Sequence, residues 1–343
     1  MTKTLAVSSR VIKKLQLPPP VGLIVGLAIL LICFIHSVRL GAIDIPLGQI
    51  LASFIAFDGS DNHLIVQTIR LPRSLVAILV GSSLAVSGAL MQGLTRNPLA
   101  EPGILGIESG AALFVVATIF IFGSSSLSIL TLAAMLGAAA TAIVVYGLGS
   151  LARGGATPLN ITVAGAAITA LISSLNTAIL ILSQQTLEQI RVWLAGSLNG
   201  VDVNILLQVL PFASVGLIFA FALGRQITTI SLGEDVAKGL GQQANWVKIL
   251  TAISVVLLAG SSVALAGPIG FIGLVVPHIV RFFIPADYRW ILPYSAITGA
   301  TLLLVADIAA RVLLKPQELP VGVMTALVGG PFFIYLAKSK VKK

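Results

Sequence analysis

Charge is what this sequence has least of: only 10% of its 343 residues are Asp, Glu, Lys or Arg, against roughly 25% in a soluble domain. That leaves too few polar side chains to clothe a water-facing surface, so a soluble globular domain is excluded. Cysteine is nearly absent. Cys33 is the only one, so no disulfide can form within the chain. The three histidines, His36, His63 and His278, are far apart and have no cysteines beside them, so no metal-ligand spacing exists. No G-x-x-x-x-G-K-[ST] stretch occurs, which excludes a nucleotide-binding loop of that type. No nucleophile–base–orienter set appears either, so the chain reads as no enzyme. No cofactor is expected on it.

Apolar residues make up what is present, at 57%, and the mean hydropathy is +1.05. A helix needs about 20 apolar residues to cross the hydrocarbon layer. Windows of that kind lie at 20–38, 72–94, 104–123, 126–149, 161–183, 204–223, 247–266, 271–284, 292–314 and 320–337. The eighth is short enough to be a discontinuous element shielded by its neighbours. The expected fold is an all-α integral membrane protein of about ten spans. The first run follows a basic tail at residues 1–19. It is too long for a cleaved signal and lacks a clean cleavage site, so a retained span is expected. No segment is long and polar enough for a separate soluble domain, so residues 1–343 read as a single membrane-spanning domain.

Basic residues orient the map. With an inward N-terminus, the outer segments hold Arg39, Arg70, Arg73, Arg191, Arg311 and Lys315, and the other 15 of the 21 lysines and arginines fall inside. Both termini are therefore expected in the cytoplasm. An internal echo supports a repeat. Gly81-Ser-Ser-Leu-Ala-Val-Ser-Gly88 recurs as Gly260-Ser-Ser-Val-Ala-Leu-Ala-Gly267, and Pro98 and Pro277 match at the same offset. The two copies lie on spans of opposite direction, the arrangement of many transporters. Small residues also serve plain helix packing, so the echo alone does not prove a repeat.

Several ordered stretches resemble the FecCD family, the permease subunits of ABC importers for iron–siderophores, haem and cobalamin. They are Arg70-Leu-Pro-Arg73, Met91-Gln92, Asn97-Pro-Leu-Ala-Glu-Pro-Gly103, Leu232-Gly-Glu234 with Gly239-Leu-Gly241, Ala266-Gly-Pro-Ile-Gly-Phe-Ile-Gly-Leu274, Pro277-His278 with Arg281, Ala306-Asp307 with Arg311, and Glu318-Leu-Pro-Val-Gly322. The resemblance implies a type II ABC importer permease fold with an inverted repeat. It implies a second permease copy or homologue, two ATP-binding subunits carrying ATP and Mg, and an external substrate-binding protein, in a bacterial plasma (inner) membrane. An iron(III)–siderophore or similar chelate would be moved by alternating access. An ion-gradient-driven secondary transporter of a small organic solute is the alternative, and would need acids on the transport path.

By the same resemblance, Arg70, Arg73 and Arg311 are expected to dock the binding protein. Asp307, one helical turn before Arg311, offers a partner within the chain instead. The polar loop 224–246 is the expected coupling segment, with Leu232, Gly233, Glu234, Ala237 and Gly241 meeting the ATPase. Ala237 belongs there because a small residue permits close approach. Asn97, Pro98 and Leu99, with Pro158 and Leu159, are expected to narrow the inner end of the pathway. Pro158 and Leu159 depart from the small hydroxyl residues usual in relatives. Plain helix-ending turns are the alternative for both segments. Asp307 and His278 are expected to be structural, and no metal site is expected.

Overall fold

The computed structural model describes residues 18–341 apart from 42, 124, 125, 154, 156 and 202, and these are all helix or connecting turn. The basic tail of the sequence reading, from Lys3 to Lys14, lies outside them.

A chain surrounded by lipid must satisfy its backbone locally, and helices do so. Ten apolar helices follow the expected windows. Helix α1 is Pro19–Arg39. Two short helices, α2 (Leu47–Ile55) and α3 (Asp61–Ile65), fill the next connection. A π turn over Val66–Arg70 joins α3 to α4 (Leu71–Thr95), making one helical stretch Asp61–Thr95. Pro72 follows that turn, and its missing N–H removes one bond from the ladder there. Next come α5 (Ile107–Phe122), α6 (Leu127–Leu151), α7 (Pro158–Leu182) and the short α8 (Gln184–Leu194). Then follow α9 (Val203–Ala222), α10 (Gly224–Ser231), α11 (Glu234–Gly239) and α12 (Ala244–Ala266). The chain ends with α13 (Ile272–Phe283), α14 (Tyr288–Val312) and α15 (Val321–Val341). Seven of these stretches are long and apolar enough to cross a membrane; α5, α13 and the apolar part of α15 are shorter.

The echoed segments are the two central helices. In α4, 89% of the most apolar stretch is buried, and in α12 67%, against 11% in α1 and α7. The two pack on each other, and their surroundings correspond: α4 lies against α13 and α14, while α12 lies against α5 and α6. Each is followed by an excursion out of the α-helix, which after α4 includes a 3-10 turn over Pro102–Leu105, and ends in a left-handed residue that starts a shorter helix, Gly106 before α5 and Phe271 before α13. The repeat is thus structural and not only a run of small residues. Glycine is needed where backbones touch: a Cβ on Gly88 would lie 2.0 Å from the carbonyl oxygen of Gly273.

Side-chain bridges define the two ends. Ser37 near the end of α1 bonds Ser74 at the start of α4 and Arg311 at the end of α14; this is the upper end. At the lower end Gln92, near the end of α4, meets Arg281 of α13, which also bonds Tyr288 at the start of α14. Tyr294 of α14 donates to the Pro19 carbonyl at the start of α1. Helix α15 begins at the upper end, where the Gly322 amide bonds the Gly196 carbonyl beside Ala266. The first helix therefore begins, and the last one ends, on the lower side.

Candidate functional site

The residues singled out by the sequence gather at the two ends of the bundle. At the upper end Arg70 closes the π turn, Arg73 projects from the first turn of α4, and Arg311 from the last turn of α14. All three are buried, at 6%, 7% and 3% exposure. Arg73 Nε donates to Asp307 Oδ1 at 3.0 Å, and its Nη1 donates to Glu318 Oε2 at 2.6 Å. Its Nη2 lies 2.9 Å from the same Asp307 oxygen. Arg311 Nη2 lies 3.0 Å from Asp307 Oδ2, and its Nη1 donates to the Ser37 and Leu40 carbonyls. Arg70 donates to the carbonyls of Val38 and Arg39 at the end of α1 and of Ile43 just beyond it.

This arrangement is the one that the alternative reading named: the arginines are buried, and Arg73 and Arg311 pair with Asp307. The positive-inside count registers cations but not their counter-ions, which are distant in sequence. Asp307 is 234 residues from Arg73, and Glu318 is 245. The chain itself supplies carboxylates to Arg73 and Arg311 and backbone carbonyls to Arg70, because a buried guanidinium is stable only when its donors are met. Asp307 is wholly buried between two arginines, which fits the structural role expected for it. His278 lies edge-on to Phe282 and Phe332, joining α13 to α15; this too is a packing position. Among the described residues no group of three metal-ligating side chains is present.

At the lower end, Thr95 closes α4 and Arg96 reverses the chain in the left-handed region at φ 53°. Asn97 Oδ1 then accepts the Leu99 amide at 3.0 Å, a turn in which the Asn side chain mimics backbone. The other narrowing segment is a helix start. Thr157 Oγ1 accepts the Asn160 amide, and Asn160 Nδ2 donates to Gly155 O at 2.8 Å. Pro158 occupies the first helical position, where its missing N–H costs nothing. Leu159 is 71% exposed.

Between these segments and the polar loop lies an apolar-walled cavity. Met91, Arg96, Pro158, Ile161, Glu234 and Lys248 line it, so the expected coupling and gate segments share one space. Glu234 bonds Lys248 Nζ at 2.7 Å and Lys238 Nζ at 3.2 Å. The Lys248 ammonium, aided by Lys238, holds the Glu234 carboxyl below its ordinary range.

The polar loop departs from expectation in which side chains it presents. Ala237 is wholly buried in the chain's own core, where its small size lets α11 lie against α10 and α12. The large apolar side chains the loop leaves exposed are Leu232 at 69%, Val236 at 47% and Leu240 at 72%, joined by Trp246 at 60%. The spacing 232, 236, 240 is a helical stripe. That period was the available signal for Val236 and Leu240; nothing local distinguished Trp246. Gly233 and Gly241 bracket α11 with φ of 134° and 78°, conformations open to glycine. The Gln92–Arg281–Tyr288 bridge has no such signal, since its members lie on three separate helices.

Comparison with known proteins agrees with the architecture. Residues 29–339 match the FecCD transport family. The "Probable siderophore transport system permease protein YfiZ" of Bacillus subtilis is 48% identical over 92% of this chain and 94% of its own. The "Ferric enterobactin transport system permease protein FepD" of Escherichia coli is 37% identical, covering 92% and 94%. A solved chain described as of the metal-chelate ABC transporter type, in an inward-facing conformation, superposes with a TM-score of 0.83 at 30% identity, over 93% of this chain and 99% of that one. With ten apolar helices among the described residues, two of them a duplicated central pair, and a match over nearly its whole length, the chain belongs to the FecCD transport family, the permease subunits of ABC importers.

Proposed function

We propose that this chain moves an iron(III)–siderophore or related metal chelate into the cytoplasm as the permease of an ABC importer, driven by a separate ATPase. The observation that carries the energy-coupling part is the exposed stripe Leu232, Val236 and Leu240, on and beside the short α11, with Trp246 in the first turn of α12, framed by Glu234, Lys238 and Lys248. Apolar side chains facing water in a loop fit a protein partner. The ATPase, holding ATP and Mg, would grip there, while the buried Ala237 fixes the loop to the permease. The cavity shared by Glu234, Arg96 and Pro158 gives movement of the loop a route to both narrow segments, where Asn97, Pro98, Leu99, Pro158 and Leu159 close the inner end.

The lower side is then cytoplasmic, consistent with the basic residues there, and the protein lies in the bacterial plasma membrane. The exposed apolar face of α7 suits a second permease, identical or homologous, across the pathway. The relatives' siderophore and ferric enterobactin systems favour an iron chelate. An external binding protein would dock on the upper end around Arg70, Arg73 and Arg311. An ion-gradient mechanism gains no support at Asp307, whose carboxylate is held between two arginines.

The test is uptake into vesicles holding the permease with its ATPase. Vanadate-sensitive uptake of a ferric siderophore is expected. Uptake that persists without the ATPase and collapses with the proton gradient would overturn the reading.

A further inference from the structure

The upper arginine cluster is one carboxylate short. Arg70, Arg73 and Arg311 bring three positive charges, and Asp307 and Glu318 bring two negative ones. Asp44 is taken by Lys315 at 3.5 Å. Arg70 is held by carbonyl oxygens alone, and the Nε of the neighbouring Arg39 is buried with no acceptor. A buried charge without a counter-ion is costly, so the cluster has room for an incoming carboxylate.

The two acids are not equivalent. Asp307 has no exposure and two guanidinium partners. Glu318 has 30% of its side chain in solvent and one partner, Arg73 Nη1. If Glu318 leaves, Asp307 still holds Arg73 through Nε and Nη2. Nη1 is then left in place, aimed at the vacated position, and Glu318 moves into water without burying a bare charge. No other member of the cluster can move at so little cost.

We infer that Glu318 is an exchangeable counter-ion: in the undocked permease it occupies the position on Arg73 that a carboxylate of the docking protein takes. The inference rests on the docking reading above and sharpens it, because Arg73, already paired with Asp307 and Glu318, can receive a new carboxylate only when one of them leaves. It also gives docking a structural consequence. Glu318 belongs to the connection between α14 and α15, where the Leu319 amide bonds the Ala310 carbonyl, and α15 begins two residues later at Val321. Exchange at Arg73 frees that connection at the start of a helix that runs to the lower side.

The test uses the full-length permease in lipid nanodiscs at low ionic strength, with a hexaglutamate peptide as the acidic probe and hexaglutamine as the neutral control. Glu318→Gln is nearly isosteric and removes the competing charge. It is expected to bind hexaglutamate roughly fivefold tighter than the unaltered protein, the scale of one partly exposed ion pair. Arg73→Gln is expected to weaken binding at least about tenfold and to abolish the gain when combined with Glu318→Gln. Arg73→Lys, which keeps the charge, is expected to retain part of the binding and so separates charge from folding. Equal or weaker binding by Glu318→Gln, with Arg73→Gln still damaging, overturns the exchange and leaves arginine docking standing. Unchanged binding by Arg73→Gln overturns both.

Discussion

Replacing Asp307 with asparagine is the sharpest probe of how the upper end is held. Asp307 lies 2.9 Å from Arg73 and 3.0 Å from Arg311 and has no solvent exposure. Asparagine keeps the shape and removes the charge. Arg73 retains Glu318, and Arg311 retains the Ser37 and Leu40 carbonyls and the Ser37 hydroxyl. The main loss is therefore one counter-charge shared by two buried cations. Breaking a buried pair by removing one partner costs about 3–5 kcal/mol; the remaining bonds place this case near the lower end, about 3 kcal/mol. Reversible unfolding of the purified permease in mixed micelles, with helix content as readout, measures it. Adding Arg311→Met should recover about 1–2 kcal/mol, because an unpaired buried charge is removed with it. A loss below about 0.5 kcal/mol for Asp307→Asn, or no recovery in the double variant, would refute the claim that charge neutralisation holds this end together.

Other consequences can be checked separately. Gly88→Val should destabilise the bundle by about 1–3 kcal/mol in the same assay, since its Cβ would meet the Gly273 backbone, while Gly48→Ala, with open space around it, should be silent. Leu232→Asp with Leu240→Asp should leave the fold intact, because both side chains are exposed, and cut ATP-driven uptake at least about tenfold; normal uptake would remove the coupling assignment. Glu234 titrates below its ordinary range because of Lys248. Its contribution is therefore full above the ordinary carboxylate pKa of about 4.3 and is lost as pH falls through the depressed value. Hydrogen exchange over residues 233–240 should accelerate below about pH 4 and be less pH-dependent in Lys248→Met.

The number and approximate bounds of the apolar helices were legible in the chain because lipid permits only one solution for an isolated apolar segment, and that solution is local. The repeat was legible for a related reason: Gly81, Gly88 and Gly267 sit at close backbone contacts, and such contacts restrict the residue type wherever they occur. The lower-end turns were legible as well, since Asn97, Pro98, Thr157 and Pro158 act on their own backbone. The short helices α2, α3 and α8 were not, because none is long enough to show against its polar neighbours.

What tertiary structure alone decided was the direction and partnership of polar side chains. Arg73 read as an outward cation because a linear count cannot bring Asp307 and Glu318 to it across more than two hundred residues, whereas the Asp307–Arg311 pair was legible from its one-turn spacing. Ala237 read as a contact for a partner because small size signals close approach without saying to what. Sequence by itself determined where the chain crosses the lipid, since burying unpaired backbone there is prohibitive at every residue. Only the folded bundle decided which charges are spent on one another and which side chains remain for a partner, because those energies depend on distances that exist only once the helices have packed.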